Sequence, residues 1–553
     1  MADEFSERYG DLLTGSYDCV DRIVLNAYYP LGPNPGGFRV WWRRWHQDSD
    51  EELDNAHLIR LAGRFARRVR AWAGEHGVPV IDCKAGERKH RIAEEYLSEH
   101  TVGVGVFLIL VARAPAIVWK VKRSSSGVIR NLEKTRQYVN HYSFHIMDPA
   151  WGHLTIKMSG HPPFGAQVIL NGHEYVACQA QTSGIRFAKE GNCFTRMDEP
   201  EHLAQIADTL SQPGTVGRLS QVIDRWIYTA CLCFGLDLAE QARSGFGYAY
   251  SVYQVEYSRN LIFASGAVME RAFDTIVDRT RTRLDVPKLR TLFGVSKRPR
   301  HHGAELSPRQ AVVIERPQWN LTLFKVHFGL LTLKGYTKGE HVLRFEAIVH
   351  NTRTLHTGRI LKNFPAIVAR LAAMVDRFTN MLDCVDVAFL PDGILDQLPN
   401  PSQIGAGRVG GVDINKPRAR AALTAALALA VAPDGFTVGD LAGKVRSLTG
   451  QNEDEFTVRQ AAYDLRKLRA KQLVVKPRRT RRYQVPGEAA RTIAALLALR
   501  DEVISPILAG IRSPRQGRKP ATWTPVDRDY EALRIDMHDL FQHLHLDTVS
   551  VAA

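Results

Sequence analysis

The first 215 residues alternate between short apolar runs and amphipathic patterns. Residues Asp21 to Tyr29 form a β-branched and aromatic run that predicts a strand. Apolar residues then repeat at helical spacing between Asn55 and Trp72, at Leu58, Leu61, Ala62, Phe65, Val69 and Trp72. Alternating apolar positions from Tyr138 to Met158, on both sides of the turn Asp148 to Gly152, predict a hairpin. These patterns together predict a mixed α/β domain over residues 1–215.

The middle of the chain changes pattern several times. Residues 216–293 follow helical spacing, and the basic, histidine-rich segment 294–310 is predicted to be a linker. Residues 311–399 return to β-branched runs before one helical pattern, which predicts a β-rich domain with a single helix. Glycine and proline then dominate 400–417, as expected for a second linker. The predicted fold class is α/β and α+β multidomain, with a mixed α/β N-terminal region, a helical middle and a β-rich third unit.

The pattern of residues 418–510 is the most regular in the chain. An alanine- and leucine-rich helix comes first, a second helix begins at Thr437, and Thr457 is a good cap for a third. The spacing predicts that the third helix buries Val458, Ala462, Leu465 and Leu468. Two short strands joined by a basic tip follow, Leu473 to Lys476 and Arg482 to Val485. After a further helix, residues 511–553 are expected to form a basic and then amphipathic tail.

Three helices followed by a hairpin with a basic tip resemble the winged helix-turn-helix domains of MarR-like and ArsR-like transcription regulators. The resemblance implies that the third helix faces the major groove of DNA, through Arg459, Gln460, Tyr463 and Lys467. It also implies that the tip contacts phosphates or the minor groove, through Arg478, Arg479, Arg481 and Arg482. Winged helices also serve as protein–protein modules. Because these faces are basic rather than apolar, the sequence favours DNA over another protein as the partner of this module.

Composition and charge narrow the class of protein. The chain has 553 residues, of which 45% are hydrophobic and 24% charged, and these values exclude a disordered or collagen-like chain. Its 73 Lys and Arg against 58 Asp and Glu give a net charge of +15. Such a surplus favours nucleic acid as partner, with DNA favoured and RNA possible. No apolar run reaches the ~18 residues that span a membrane, so we expect a cytoplasmic protein without membrane contact.

A second basic feature lies on the helix predicted from Asn55. Four arginines recur there at i, i+4, i+7 and i+8 and form a stripe beside the apolar face, namely Arg60, Arg64, Arg67 and Arg68. Like charges at this spacing repel one another, so an anion such as a phosphate backbone is expected to neutralise them. Just upstream, the run Trp41 to Trp45 interleaves tryptophan with arginine. These tryptophans either stack on bases or cover an adjacent core.

Histidines in the predicted hairpin are candidate metal ligands. His141 and His145 lie four residues apart on one strand and share a face, and His153 comes from the paired strand. With Asp148 in the turn, this set is suited to a divalent ion such as Mg²⁺ or Mn²⁺. The same spacing is also typical of a polar sheet face, and both interpretations stay open.

Two tyrosines are candidate nucleophiles. Tyr253 and Tyr257 lie at i and i+4 of a predicted helix. A histidine pair followed by paired tyrosines is similar to the arrangement in HUH endonucleases, in which a metal polarises a phosphate that tyrosine attacks. The chain departs from that family, since its histidines are spaced His-x-x-x-His. Asp82-Cys-Lys84 likewise matches only the second half of a PD-(D/E)xK nuclease motif.

Taken together, the sequence predicts a multidomain nucleic-acid-binding protein that a C-terminal winged helix targets to DNA. The length of the chain outside the winged helix favours a role in replication, recombination or a mobile element. The alternatives are a metal-dependent nuclease or HUH-like strand-transfer enzyme, and a large transcription regulator that senses a ligand.

Overall fold

The protein divides into two compact units. The computed structural model describes residues 7, 9–84, 86–272, 322–328, 330–386, 391, 393–405, 407–432, 434–477, 480–505 and scattered positions from 525 to 536. The sheet unit comprises Tyr9–Met269 and Thr291–Val375, and the C-terminal unit comprises Met1–Arg8, Glu270–Arg290 and Asp376–Ala553. The predicted linker 294–310 lies outside the described residues, as does most of the predicted tail 511–553.

The sheet unit is built on one large, mainly antiparallel sheet. Its strands are β1 Leu13–Tyr28, β2 Val80–Asp82, β3 Gly105–Arg123, β4 Ile129–Asp148, β5 Gly152–Ser159, β6 Ala166–Asn171, β7 Phe187–Lys189, β8 Phe194–Met197, β9 Ala249–Phe263, β10 Thr322–Phe328, β11 Leu331–Lys338 and β12 Val342–Val349. Ten of these described strands pair in the order β10-β11-β12-β9-β1-β6-β5-β4-β3-β2, and β7 and β8 pair separately. The pair β2 and β3 is parallel.

The helices of the sheet unit are α1 Pro35–Trp45, α2 Asn55–Glu75, α3 Lys89–Glu99, α4 Gly172–Thr182, α5 Pro200–Asp208, α6 Thr215–Ala230 and α7 Leu238–Ser244. Two helical segments begin in the sheet unit and continue into the C-terminal unit, namely residues 266–272 and α8 Phe364–Asp386. Short 3₁₀ segments occur at Gly10–Leu12, Thr209–Ser211, Leu232–Phe234, Thr352–Leu355 and Leu361–Asn363. The helix predicted from Asn55 and the hairpin predicted on both sides of Asp148 are confirmed as α2 and as β4 with β5.

The predicted helix through Tyr253 and Tyr257 is wrong, because these residues lie on strand β9. This strand pairs with β1 on one side and β12 on the other, and it is buried from Tyr257 to Phe263. A strand covered on both faces lacks the polar alternation that marks an exposed strand, so its tyrosine spacing resembled a helical repeat. Strands β10 to β12, expected in a separate β-rich domain, extend the same sheet.

The core of the sheet unit is rich in aromatic residues. Phe65 of α2 packs against Tyr142 of β4, with 4.8 Å between ring centroids, and against Phe164 and Phe234. The three tryptophans of α1 are buried, namely Trp41, Trp42 and Trp45. Of the two sequence interpretations of these tryptophans, the structure therefore supports core packing and leaves no face for base stacking.

The C-terminal unit is mainly helical. It contains α9 Ile394–Gln397, β13 Ser402–Ile404, β14 Gly407–Val409, α10 Pro417–Leu429, α11 Val438–Thr449, α12 Val458–Ala470 and α13 Gly487–Ala498, followed by a π-helical turn at Leu499–Ile504. Capping boxes begin α11 at Thr437 and α12 at Thr457, where serine- or threonine-type caps satisfy the first backbone N–H groups. Across all described residues, helices are too short or too polar to cross a bilayer.

Candidate nucleic-acid interface

Helix α12 begins at a cap that uses one of the predicted DNA-contacting residues. Thr457 Oγ1 accepts a hydrogen bond from Gln460 N at 3.3 Å, and Thr457 N donates to Gln460 Oε1 at 2.7 Å. The side-chain carbonyl of Gln460 is therefore used within the helix. Of the residues predicted on this face, Gln460 acts as a capping residue.

The buried face of α12 is rotated from the predicted one. Ala461, Leu465 and Leu468 are buried, while Val458 is 51% exposed and Ala462 is also exposed. The prediction for Val458 and Ala462 is therefore wrong. Positions 461, 465 and 468 satisfy the i, i+4, i+7 spacing equally well, so periodicity alone could not choose between the two phases.

A buried carboxylate holds α12 against α10. Arg418 Nε donates to Asp464 Oδ2 at 2.9 Å and Arg418 Nη2 donates to Asp464 Oδ1 at 3.1 Å, a two-pronged pairing that fixes geometry as well as charge. Burial raises the pKa of the Asp464 carboxyl, and Arg418 opposes that rise. This pair orients the exposed face of α12.

The exposed face of α12 carries unpaired positive charge. Arg459 and Arg466 are exposed and make no ion pair within the described part of the chain. Tyr463 is 46% exposed, and Lys467 Nζ lies 5.0 Å from the centre of its ring. At this distance the ammonium is attracted to the ring face, so the two side chains are held together.

The β13–β14 hairpin lies beside this face. Gly407 approaches the Arg466 guanidinium so closely that a Cβ there would collide with Arg466 Nη2. A Cβ on Gly410 would lie 3.4 Å from Tyr463 Oη. The predicted linker 400–417 therefore contributes to this surface, and it adds the exposed Arg408.

Three separate segments pair beside the helices. Val475 and Gln484 exchange backbone hydrogen bonds of 2.8 and 2.9 Å, as expected for the predicted hairpin. Phe436, between α10 and α11, pairs with Tyr483 in the same way, which the sequence did not predict. A single apolar residue between Gly435 and the cap Thr437 is a weak signal, because one bridging residue has no periodicity.

The arginines of the hairpin tip have two kinds of environment. Arg481 and Arg482 are exposed, and Arg482 Nη1 also donates to Gly435 O at 2.9 Å. Arg478 and Arg479 lie outside the described residues. Lys476 adds a further charge, with Nζ 5.6 Å from the centre of the Tyr483 ring.

The arginine stripe of α2 separates into two pairs. Arg64 Nη1 donates to Glu240 Oε1 at 2.9 Å, and Arg68 lies 3.7 Å from both Asp237 and Glu240. Those two carboxylates form the capping box that begins α7. Protein carboxylates therefore neutralise Arg64 and Arg68, whereas Arg60 and Arg67 are exposed and have no ion pair among the described residues.

The predicted metal ligands of the hairpin do not converge on one point. His145 Nδ1 lies 3.0 Å from His153 Nε2, but His141 is four residues from His145 along β4, or about 13 Å of strand. Burial lowers the pKa of His145 to about 3 and that of His141 to about 4. His145 is buried and His141 and His153 are half-buried, so the three lie on a partly buried polar sheet face, and their role as metal ligands stays a prediction.

The histidines and tyrosines of the predicted strand-transfer site lie far apart. Strand β9 is separated from β4 by β1, β6 and β5, so about 19 Å of sheet lies between them. Tyr257 is buried and donates to Asp18 Oδ2 at 2.9 Å, while Tyr253 is half-buried. Asp82 of the partial nuclease motif pairs with Arg70 at 2.8 Å. The structure therefore assembles no catalytic group from the histidines and tyrosines, and none around Asp82, among the described residues.

A buried charged network, which the sequence did not predict, connects several elements of the sheet unit. Asp21 bonds to Arg344 and accepts a hydrogen bond from Ser258 Oγ at 2.9 Å. His173 Nδ1 lies 3.0 Å from Asp21 Oδ1, and Cys19 is close enough to complete a possible metal-ligand group. Because Arg344 already compensates the charge of Asp21, the network is better suited to holding β1, β12 and α4 together.

Comparisons with known proteins identify no relative of this chain. No family model, curated protein or solved structure matches the chain.

Proposed function

We propose that residues 417–498 form a winged helix-turn-helix module that binds duplex DNA. The observation that carries the proposal is the order and pairing of its elements. Helix α10, the bridge residue Phe436, helices α11 and α12, and then the paired Val475 and Gln484 follow one another along the chain. This is the helix–strand–helix–helix–strand–strand order of winged helices, in which the first strand pairs with the last.

In this proposal α12 is the recognition helix. Its exposed Arg459 and Arg466 are unpaired cations at spacing i and i+7, so both lie on the face that is turned away from the core. Arginine suits this position because its guanidinium donates two parallel hydrogen bonds to guanine. Val458, with half its surface exposed, offers an apolar contact for a thymine methyl group.

The hairpin tip would contact the DNA backbone. Arg481, Arg482 and Lys476 are the described cations of the tip, and Arg408 of the neighbouring hairpin is exposed. Arginines that make no internal ion pair gain more from phosphate than arginines that already have a carboxylate partner. A protein–protein role for the module is the competing interpretation, and the cationic character of the surface argues against an apolar partner.

The test is binding of the full-length chain to duplex DNA, measured by fluorescence anisotropy over a salt series. The variant Arg459→Ala/Arg466→Ala is expected to weaken binding at least about tenfold, since each base contact contributes about 1–3 kcal/mol. The matched control is Arg130→Ala/Arg136→Ala, which removes the same charge from exposed positions of β4 in the sheet unit. Equal losses in both variants, or no duplex binding by the native chain, would refute the proposal.

A further inference from the structure

Three histidines end helices of the sheet unit in the same way. His46, His76 and His100 follow α1, α2 and α3, and the Nδ1 of each lies 2.9–3.1 Å from the backbone carbonyl oxygen four residues earlier. Each ring also stacks on the aromatic residue at that earlier position, at 4.0, 4.5 and 4.2 Å. A carbonyl oxygen accepts and never donates, so Nδ1 carries the proton and Nε2 keeps its lone pair.

The side chains that surround His46 differ from those around His76 and His100. The rings of His46 and His57 are 5.6 Å apart, and His57 Nδ1 lies 3.6 Å from Glu52 Oε2. One ligand atom from each of His46, Glu52 and His57 lies within 4.8 Å of the other two. Within the described residues, neither His76 nor His100 belongs to a group of this kind.

The surroundings suit a cation that arrives from solvent. His46 and His57 are half-buried, and the side chain of Glu52 is 63% exposed. Arg39 and Arg43 of α1 bond to Asp50 at 2.5 and 2.6 Å, while the positive charge of Arg243 acts on His46 and that of Arg60 acts on His57. Burial, with a smaller effect of these arginines, lowers the pKa of both His46 and His57, and the neutral form of imidazole is the one that coordinates a metal ion.

We infer that His46, Glu52 and His57 form a binding site for a divalent transition-metal ion of the zinc class, with solvent as the fourth ligand. Two imidazoles and one carboxylate are a ligand set that zinc accepts in tetrahedral geometry. With bonds of about 2.0–2.1 Å, tetrahedral ligand atoms lie about 3.4 Å apart, a distance that small rotations of the exposed Glu52 side chain can reach. The hydrogen bond from His46 Nδ1 to Trp42 O orients that ring, as outer hydrogen bonds commonly do for metal-bound histidine.

The position of the proposed metal site predicts how a bound ion affects the stability of the protein. His46 directly follows α1, and His57 lies in the first turn of α2. A metal ion that joins them would close the acidic connection 47–54 and stabilise the native state by its binding free energy. This effect is separate from DNA binding and does not depend on the proposed function.

The experiment uses the full-length chain after removal of metal with a chelator. Zn²⁺ is titrated with thermal unfolding as readout, and Co²⁺ is titrated with its visible absorption, which is intense in tetrahedral sites. We expect one equivalent of either ion to bind, a raised melting temperature with Zn²⁺, and a tetrahedral Co²⁺ spectrum. Glu52→Gln and His57→Gln should each weaken binding at least about tenfold.

The matched control is His76→Gln, which removes a capping histidine of the same geometry without its metal-ligating neighbours. Binding that is unchanged in this control and lost in the other two variants supports the site. Because Glu52 is exposed, Glu52→Gln tests the site even if His57→Gln unfolds the chain. Native protein that binds neither ion, or equal loss in the Glu52 and His76 variants, would overturn the inference.

Discussion

Phe436 and Tyr483 exchange two backbone hydrogen bonds, of 2.9 and 2.7 Å, although helices α11 and α12 lie between them in the sequence. Their rings stack with centroids 6.3 Å apart. Gly435, just before Phe436, has a φ of 72°, and a Cβ there would collide with the carbonyl oxygen of Tyr483. The hairpin tip is thus attached at its base to the connection between α10 and α11.

Replacing the buried ring of Phe436 should loosen that attachment. Phe436 is 1% exposed, and Phe436→Ala is expected to cost about 3–5 kcal/mol of local stability. Hydrogen exchange followed by mass spectrometry should show faster exchange in peptides that cover 475–485. Tyr483→Phe is the control, since it keeps the stacked ring. If protection of 475–485 survives in Phe436→Ala, the phenyl ring does not hold the hairpin.

Removing charge from the hairpin tip should change the salt dependence of DNA binding. Each phosphate contact contributes about 0.9 to the slope of log K against log salt, so Arg481→Ala should reduce the slope by about that amount. Arg482→Ala should do the same and also lower stability, because Arg482 Nη1 donates to Gly435 O. An unchanged slope in Arg481→Ala would show that this residue does not contact phosphate.

The two halves of the arginine stripe on α2 should respond differently to substitution. Arg64→Ala removes hydrogen bonds to Glu240 and to Gly235 O and should cost about 1–3 kcal/mol in urea unfolding. The exposed Arg60→Glu/Arg67→Glu variant should change stability by no more than about 0.5 kcal/mol. If the stripe contacts nucleic acid, it does so through Arg60 and Arg67, and this variant should weaken binding. Equal destabilisation by both changes would contradict the separation into two pairs.

Stability of the sheet unit should fall as the pH drops below about 6.5. Burial lowers the pKa of His145 to about 3, whereas an unfolded histidine titrates near 6.5, so the unfolded chain binds the extra proton between these values. The free energy of unfolding should therefore decrease by about 1.4 kcal/mol per pH unit for this group as the pH falls from about 6 to 4. His145→Gln should reduce that slope, and the part due to His141, whose pKa burial lowers to about 4, should remain.

Gln137 provides the control for this pH dependence because it is exposed on β4 and carries no ionisable group. Gln137→Ala should leave the slope of unfolding free energy against pH as it is in the native chain. A slope that stays the same in His145→Gln would mean that His145 is protonated as readily in the folded as in the unfolded state.

The sequence by itself determined the elements whose signals are local. The apolar repeat of α2, the alternation on both sides of Asp148 and the caps Thr437 and Thr457 each occupy a few consecutive residues. Such signals act through neighbouring backbone and side-chain positions, so they remain readable without knowledge of the fold. The coarse class, mixed α/β, follows from them, whereas the joining of β10 to β12 to the same sheet does not.

Tertiary structure decided every feature whose partner is distant in sequence. It placed Tyr253 and Tyr257 on a central strand, because pairing on both edges and burial on both faces outweigh a helical spacing. It supplied Glu240 as the partner of Arg64, and it paired Phe436 with Tyr483. Contacts of this kind depend on the tertiary fold, and the local spacing of residues along the chain does not reveal them.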